Sequence, residues 1–248
     1  MPTSTRIVLT REKGRNRSWA ARLVAAGVPV IELPLLRFEV LSVPEAMQTT
    51  RFDWILFTSP QGVKAFVAAG LSPGDIGTGK RPGPKFAALG GGTSTALADA
   101  GLPDGLDIRS RDGTTFAKAF AKRISPPANV LLPGPETCLP EPRRSLEEAG
   151  FTVTEVPLYR TVPVPPTELP PVDFAPGDTL FFCSPSAVRA FTEAWHDRPP
   201  CVGIGETTAR VARDAGFPTV VARASDLEAM VLAAGLDPIS PAVAPKRA

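Results

Sequence analysis

Short apolar runs alternate with segments of helical periodicity along most of the chain. Residues 7–10 and 54–57 are rich in β-branched or aromatic side chains, which is typical of buried strands. Residues 18–26 have apolar side chains at helical spacing and stop before Gly27, a residue suited to the end of a helix. In Ser59-Pro60 the serine is suited to cap a helix and the proline to begin it.

The same criteria predict further elements of both kinds. A helix is predicted over residues 93–100, closed by Gly101. The remaining predicted strands are 30–33, 86–89, 130–132, 153–156, 179–182, 201–204 and 220–221. Because strands and helices alternate, we expect parallel sheets with helices on both faces.

The pattern occurs twice along the chain. The segment Asp-Trp-Ile-Leu-Phe-Thr-Ser-Pro at 53–60 recurs 125 residues later as Asp-Thr-Leu-Phe-Phe-Cys-Ser-Pro. Segments near 89–101 and 23–35 recur in the same order, at intervals of 115 and 123 residues. Fixed-order repetition indicates two copies of one α/β unit. Duplication alone predicts tandem domains that divide near Pro127.

Polar residues follow several of the predicted strands, where helices begin. Ligands of open parallel sheets bind beyond the carboxyl ends of the strands, and helix N-termini there attract anions. We therefore predict a substrate-binding set: Thr10, Arg11, Ser59, Gly90, Thr93, Ser184, Ser186, Gly205 and Thr208. Helix capping alone also explains Ser59 and Ser184, and a tight turn also explains the glycines at 90–92.

Basic residues cluster at 11–17 and at 143–144, in equivalent helices of the two copies. They are either solvated or part of an anion-binding rim. The net charge of +2 is too small to indicate a nucleic-acid-binding protein. No run approaches the roughly 20 apolar residues of a membrane helix, and the first residues lack a signal-peptide pattern. We expect a cytoplasmic protein without membrane or nucleic-acid partners.

The inventory of reactive residues is small. Three cysteines without C-x-x-C spacing indicate neither a disulfide framework nor a zinc site. The only histidine, His196, lies where a helix is expected to run into a loop. We therefore expect no metal. Tyr159 is the only tyrosine, and it precedes a proline-rich segment at 162–172. It is either a packing residue or a phenol near the ligand site.

Five blocks in order resemble uroporphyrinogen-III synthases. They are Val-Leu-Thr-Arg at 8–11, Phe-Thr-Ser-Pro at 57–60, Val-Pro-Leu-Tyr-Arg-Thr at 156–161, Phe-Phe-Cys-Ser-Pro-Ser at 181–186 and Gly-Ile-Gly-Glu-Thr-Thr-Ala at 203–209. The resemblance extends from about Arg6 to Leu232. It implies two similar parallel-sheet, flavodoxin-like α/β domains that exchange halves around a central cleft. Domain 1 would be residues 1–37 with 168–248, and domain 2 residues 42–162. Extended linkers would cover 37–44 and 161–171, with a flexible tail at 238–248.

The resemblance also implies a reaction, the cyclisation of hydroxymethylbilane to uroporphyrinogen III. Ring D is inverted, by common proposal through a spiro intermediate, and water is lost without any cofactor. Tyr159 matches the family's candidate proton donor, while Thr93, Thr208, Ser184, Thr10 and Arg11 match positions at the rim of the cleft. The partner is then a linear tetrapyrrole, and we expect a monomer that contacts the preceding pathway enzyme transiently. The alternatives are a hinged anion- or tetrapyrrole-binding module without catalysis and a degenerate homologue.

Overall fold

The computed structural model describes residues 5–45, 47, 50–72, 83–102, 105–110 and 112–239. The chain divides into two compact units. Unit 1 comprises residues 1–38 and 162–248, and unit 2 comprises residues 39–161. Most of the predicted tail, from residue 240 onward, lies outside the described residues.

Unit 1 contains a five-stranded parallel sheet in the order β11-β10-β9-β1-β2. Its strands are β1 (Ile7–Leu9), β2 (Val30–Glu32), β9 (Thr179–Phe182), β10 (Cys201–Gly203) and β11 (Thr219–Val221). Its helices are α1 (Lys13–Ala25), α6 (Pro185–Ala194), α7 (Glu206–Asp214) and α8 (Leu227–Ala233). Successive side chains of a strand point to opposite faces, so Phe181 and Phe182 belong to different core clusters. Apolar residues therefore cover both faces of the sheet.

The six-stranded sheet of unit 2 has the order β3-β8-β7-β4-β5-β6. Its strands are β3 (Leu36–Val40), β4 (Trp54–Phe57), β5 (Lys85–Leu89), β6 (Leu106–Ile108), β7 (Asn129–Pro135) and β8 (Thr152–Pro163). The helices are α2 (Pro60–Ala68), α3 (Gly91–Asp99), α4 (Gly113–Ala121) and α5 (Arg143–Glu148). The chain crosses from one unit to the other within β3 and near the end of β8.

Both sheets have a flavodoxin-like strand order, but the chain enters them at different points. Along the chain, unit 1 begins with the neighbouring strands β1 and β2 and continues with β9, β10 and β11. Unit 2 instead has β4, β5 and β6 first, and the neighbouring strands β7 and β8 follow later in the chain. Each unit therefore combines the first part of one repeat with the second part of the other. The tandem division near Pro127 is wrong, because β7 follows Pro127 and pairs with β4.

Several predicted elements differ from the structure at their ends. Helix α1 begins at Lys13 rather than at residue 18, because the Glu12 carboxylate accepts hydrogen bonds from the amides of Gly14 and Arg15. Part of the predicted linker at 161–171 is a 3₁₀ turn, Pro166–Glu168. The sequence did not predict β3, β6, α4 or α8. The domain boundaries given above differ from the compact units by a few residues, and independent folding of each domain stays a prediction.

Candidate active site

A cavity of about 480 Å³ lies in unit 2, beyond the carboxyl ends of β4, β5 and β7. Strand β7 pairs with β4 through Val130 and Leu131 and then extends beyond β4 to Pro135, while its other edge stays paired with β8. Proline has no N–H for the ladder, so Pro133 and Pro135 favour this separation. The chain order reverses between β4 and β7, which makes their boundary the topological switch point of the sheet. The cavity therefore lies where open α/β sheets bind their ligands.

Tyr159 lines this cavity because β8 is irregular. Gly134 is aligned with Pro157 and Pro135 with Tyr159, so Leu158 is an extra residue in a β-bulge. Without this extra residue Pro135 would be aligned with Leu158, so the bulge places Tyr159 at the register position that Leu158 would otherwise hold. Tyr159 retains 6% exposure, and its hydroxyl lies 3.4 Å from Ser59 Oγ. The bulge thus directs the phenol toward the start of α2.

Ser59 caps helix α2 as the sequence predicts. Its Oγ accepts a hydrogen bond from the Gly62 amide at 3.1 Å, and Pro60 is the first helical residue. The first amides of a helix have no carbonyl partner within it, and they give its N-terminus a partial positive charge. The phenol of Tyr159 therefore lies beside a group that stabilises negative charge.

The charged side chains that line the cavity are Asp112, Glu141 and Glu155, and no lysine or arginine is among the described lining residues. The Asp112 carboxylate accepts a hydrogen bond from the Thr115 amide at 2.8 Å, and this bond lowers the pKa of Asp112. Glu155 lies 3.3 Å from the guanidinium of Arg143. The cavity is therefore acidic, which disfavours a bound carboxylate and favours a positively charged group.

Two of the ten predicted site residues, Ser59 and Tyr159, line this cavity. Gly90 and Thr93 also belong to unit 2, at the start of α3, where Gly90 has a φ of 79° and Thr93 is buried. The other six lie in unit 1: Thr10, Arg11, Ser184, Ser186, Gly205 and Thr208.

In unit 1 the predicted residues surround the ends of β1, β9 and β10. Thr10 is 0% exposed and its hydroxyl donates to the Phe181 carbonyl at 2.7 Å, which argues against a direct ligand contact. The Arg11 guanidinium lies 4.1 Å from the centre of the Trp19 ring, and burial lowers its pKa. Ser184 caps α6 by accepting from the Ala187 amide at 3.2 Å.

The start of α7 in unit 1 corresponds to the start of α3 in unit 2. Gly205 precedes α7 with an extended backbone, and Thr208 is buried in its first turn, as Thr93 is in α3. Ser186 is half-buried at the second position of α6. The starts of α2, α3, α6 and α7 all offer N–H groups that lack intrahelical partners.

Sequence reasoning missed most of the cavity wall. It assigned no site role to Asp112, Glu141, Glu155 or the segment Pro133-Gly134-Pro135. The sequence could have predicted a site role for the segment Pro133-Gly134-Pro135, because it directly follows a predicted strand of the second repeat. Asp112 and the glutamates carry no comparable signal, because Asp112 caps α4, Glu141 precedes α5 and Glu155 lies on β8, and only tertiary packing brings these elements together.

Among the described residues, no group of three or more His, Cys, Asp or Glu side chains is arranged to hold a metal ion. In the same part of the chain, no helix has both the length and the apolar character needed to span a membrane.

Residues 17–232 match the protein family described as Uroporphyrinogen-III synthase HemD. The chain belongs to this family. Uroporphyrinogen-III synthases are lyase-type enzymes of tetrapyrrole biosynthesis, and the resemblance found in the sequence blocks is thereby confirmed. The cavity beside Tyr159 is thus a candidate active site of a uroporphyrinogen-III synthase.

Two relatives illustrate the similarity. The chloroplastic uroporphyrinogen-III synthase of Oryza sativa subsp. japonica is 28% identical over 238 residues, which cover 88% of this chain and 76% of the rice protein. The crystal structure of uroporphyrinogen-III synthetase from Helicobacter pylori 26695 superposes with a TM-score of 0.57 at 17% identity, covering 92% of this chain and 97% of that one. At this identity the structural likeness supports the two-domain α/β fold alone.

Proposed function

We propose that this uroporphyrinogen-III synthase cyclises hydroxymethylbilane in a reaction that Tyr159 initiates as proton donor. The observation that carries the proposal is the position of the chain's only tyrosine. Its phenol lines the switch-point cavity and its hydroxyl lies beside the N-terminus of α2. A general acid must be within reach of the leaving group, and this cavity offers the space for one end of the substrate.

In the first step, the phenol of Tyr159 transfers its proton to the hydroxyl of the hydroxymethyl group. The carbon–oxygen bond breaks, the lone pair of the pyrrole nitrogen forms a new double bond, and water leaves. The products of this step are a methylene-pyrrole cation and the Tyr159 phenolate. The phenolate regains a proton when the cyclised ring loses one, so the enzyme returns to its starting state.

The acidic wall of the cavity supports this assignment. Carboxylates stabilise the cation that forms as water departs, and electrostatic stabilisation of developing charge is commonly the largest contribution to catalysis. Asp112, Glu141 and Glu155 also repel the eight carboxylates of the substrate. We therefore place the hydroxymethyl group itself in this cavity, with the acetate and propionate of its ring directed out of the cavity and those of the other rings bound elsewhere.

The substrate carboxylates are assigned to helix N-termini outside this cavity. Gly90 and Thr93 offer one such site in unit 2, while Ser184, Ser186, Gly205 and Thr208 offer two more in unit 1. Arg11 adds a cation in unit 1. A direct contact by Thr10 requires its hydroxyl to leave the Phe181 carbonyl, so an indirect role is the more economical assignment.

The assay that tests this function uses hydroxymethylbilane generated by the preceding enzyme, with isomer analysis of the products after oxidation. We expect uroporphyrinogen III in the presence of the protein and the spontaneous isomer I in its absence. Isomer I alone, together with measurable binding of the bilane, would instead establish the non-catalytic binding module.

The remaining assignments concern the cellular location of the enzyme, its oligomeric state and its contact with the preceding enzyme. We propose that it acts in the cytoplasm as a monomer and receives its substrate through transient contact with the preceding enzyme. Analytical ultracentrifugation with and without that enzyme tests the last two points. A stable dimer would contradict the monomer assignment.

A further inference from the structure

We infer that Ser59 is a positioning residue, which acts on the reaction through the hydroxyl of Tyr159. This inference rests on the proposed role of Tyr159 as proton donor. Ser59 and Tyr159 are 100 residues apart in the chain, and their hydroxyl oxygens lie 3.4 Å apart at the cavity.

The helix cap restricts what the Ser59 hydroxyl can do. A serine hydroxyl has one hydrogen to donate and two lone pairs, and the Gly62 amide occupies one of these lone pairs. The O–H is directed away from that amide, which leaves it available to the phenol oxygen. The present separation exceeds the usual O–H···O distance of about 2.8 Å, but such bonds commonly tighten when substrate binds.

The benefit of this contact arises as the proton leaves Tyr159. A phenolate oxygen accepts a stronger hydrogen bond than a neutral phenol, since a bond to a charged group is about twice as strong. A donor on Ser59 therefore stabilises the transition state more than the ground state, which accelerates the chemical step rather than binding.

Close packing fixes Ser59 in place. A Cβ on Gly62 would lie 3.2 Å from the Pro133 carbonyl oxygen, so the first turn of α2 is held directly against β7. Pro60 restricts the backbone on the other side of the cap. The bulge in β8 brings Tyr159 to the same place from the other strand.

The second repeat supplies a matched control for the cap alone. Ser184 precedes Pro185 in the same way, and its Oγ accepts from the Ala187 amide at 3.2 Å. The position that corresponds to Tyr159 in the first repeat is Leu36, which has no hydroxyl. Loss of either serine hydroxyl therefore removes a similar cap, but only one removes a contact with a phenol.

The test measures kcat, KM and thermal unfolding for Ser59→Ala, Ser59→Gly, Ser59→Thr, Tyr159→Phe and the double variant Ser59→Ala/Tyr159→Phe. We expect Ser59→Ala to lower kcat about 5- to 10-fold, the effect of one hydrogen bond, with KM nearly unchanged. Ser59→Gly retains most of the cap stability and should show the same loss of kcat. Ser59→Thr, which keeps a hydroxyl, should restore most of the activity.

The double variant decides the question. If Ser59 acts through the phenol, Ser59→Ala has no further effect on kcat once Tyr159→Phe is present. An equal loss in both backgrounds, or an unchanged kcat in Ser59→Ala, would overturn the inference while the role of Tyr159 stands. Wild-type activity in Tyr159→Phe would overturn the proposed proton donor instead. Ser184→Ala calibrates the thermal shift expected from the lost cap.

Discussion

The turns that follow β4 and β9 have nearly the same sequence and the same local structure. In each, a serine caps a helix that begins with proline, and the serine hydroxyl accepts from an amide three residues later at 3.1 or 3.2 Å. Their surroundings within each unit differ, because Ser59 faces Tyr159 and an acidic cavity, whereas the residue that corresponds to Tyr159 in the other repeat is Leu36. Two helix caps of nearly the same sequence can therefore take part in different chemistry, because different strands pass next to them.

The strand that passes next to Ser59 explains this difference. In the first repeat the chain has two separate strands, β2 and β3, with residues 33–35 between them. In the second repeat β8 continues without a break from Thr152 to Pro163 and contains the bulge at Leu158. This long strand delivers the side chain of Tyr159 to the switch point of its own sheet.

The largest expected effect is that of Tyr159→Phe on turnover. Removal of one general acid should lower kcat by about 100-fold, while the ring continues to pack in the same space. The measurement is steady-state kinetics with isomer analysis, and thermal unfolding provides the control for folding. A kcat equal to that of the wild type would remove Tyr159 from the mechanism.

The second comparison concerns the strand ends before α3 and α7. Gly203 corresponds to Ala88, but a Cβ at Gly203 would lie 2.8 Å from the backbone nitrogen of Ala209. We expect Gly203→Ala to reduce the free energy of unfolding by about 1–3 kcal/mol, because the neighbouring atoms are backbone and cannot move easily. Denaturant unfolding measures this.

The converse substitution, Ala88→Gly, introduces no clash and should cost only about 0.5–1 kcal/mol through chain entropy and lost burial. A loss in Gly203→Ala no larger than that in Ala88→Gly would contradict the expected clash at Gly203.

A smaller effect is expected at the two glycines that begin these helices. Gly90 has φ of 79° and ψ of 159°, a region essentially restricted to glycine, whereas Gly205 has φ of −172°. Gly90→Ala should therefore lower stability by about 1–2 kcal/mol, although no atom obstructs the new methyl group. Gly205→Ala is the matched control, and its change should stay within about 0.5 kcal/mol in the same unfolding experiment.

The smallest effect depends on pH and involves the aspartates that precede β4 and β9. Burial alone raises the pKa of Asp178, but hydrogen bonds from Arg6 and the Ala175 amide outweigh it and hold the pKa below 3.8. A carboxylate with a lowered pKa in the folded state stabilises the fold above its unfolded pKa. This contribution is lost as the pH falls through the folded pKa.

The difference in unfolding free energy between the wild type and Asp178→Asn should accordingly shrink as the solution is acidified below about pH 4. Asp53→Asn is the control from the other repeat. Its carboxylate accepts from the Asn129 amide and has no ion-pair partner among the described residues, so a smaller loss near neutral pH is expected. A pH-independent difference for Asp178→Asn would contradict this account.

Prediction from the sequence succeeded where an element depends on contacts between residues that are close together along the chain. The cap at Ser59, the proline at the start of α2 and the strand 54–57 are all found as predicted. The family resemblance also gave the exchange of halves between the two units, which the duplication alone had assigned wrongly. The cavity was not predicted, because Asp112, Glu141 and Glu155 come from three separate elements.

The sequence by itself therefore determined most of the strands, the helix starts that follow Ser59 and Ser184, the repeat and the family of this protein. The strands and helix starts depend on residues within a few positions of one another. The repeat and the family are visible as short motifs that occur in a fixed order along the chain. Tertiary structure alone decided that Leu158 is an extra residue in β8, and hence that Tyr159 meets Ser59. Strand register depends on pairing between distant segments, and a shift of one residue changes which face a side chain occupies.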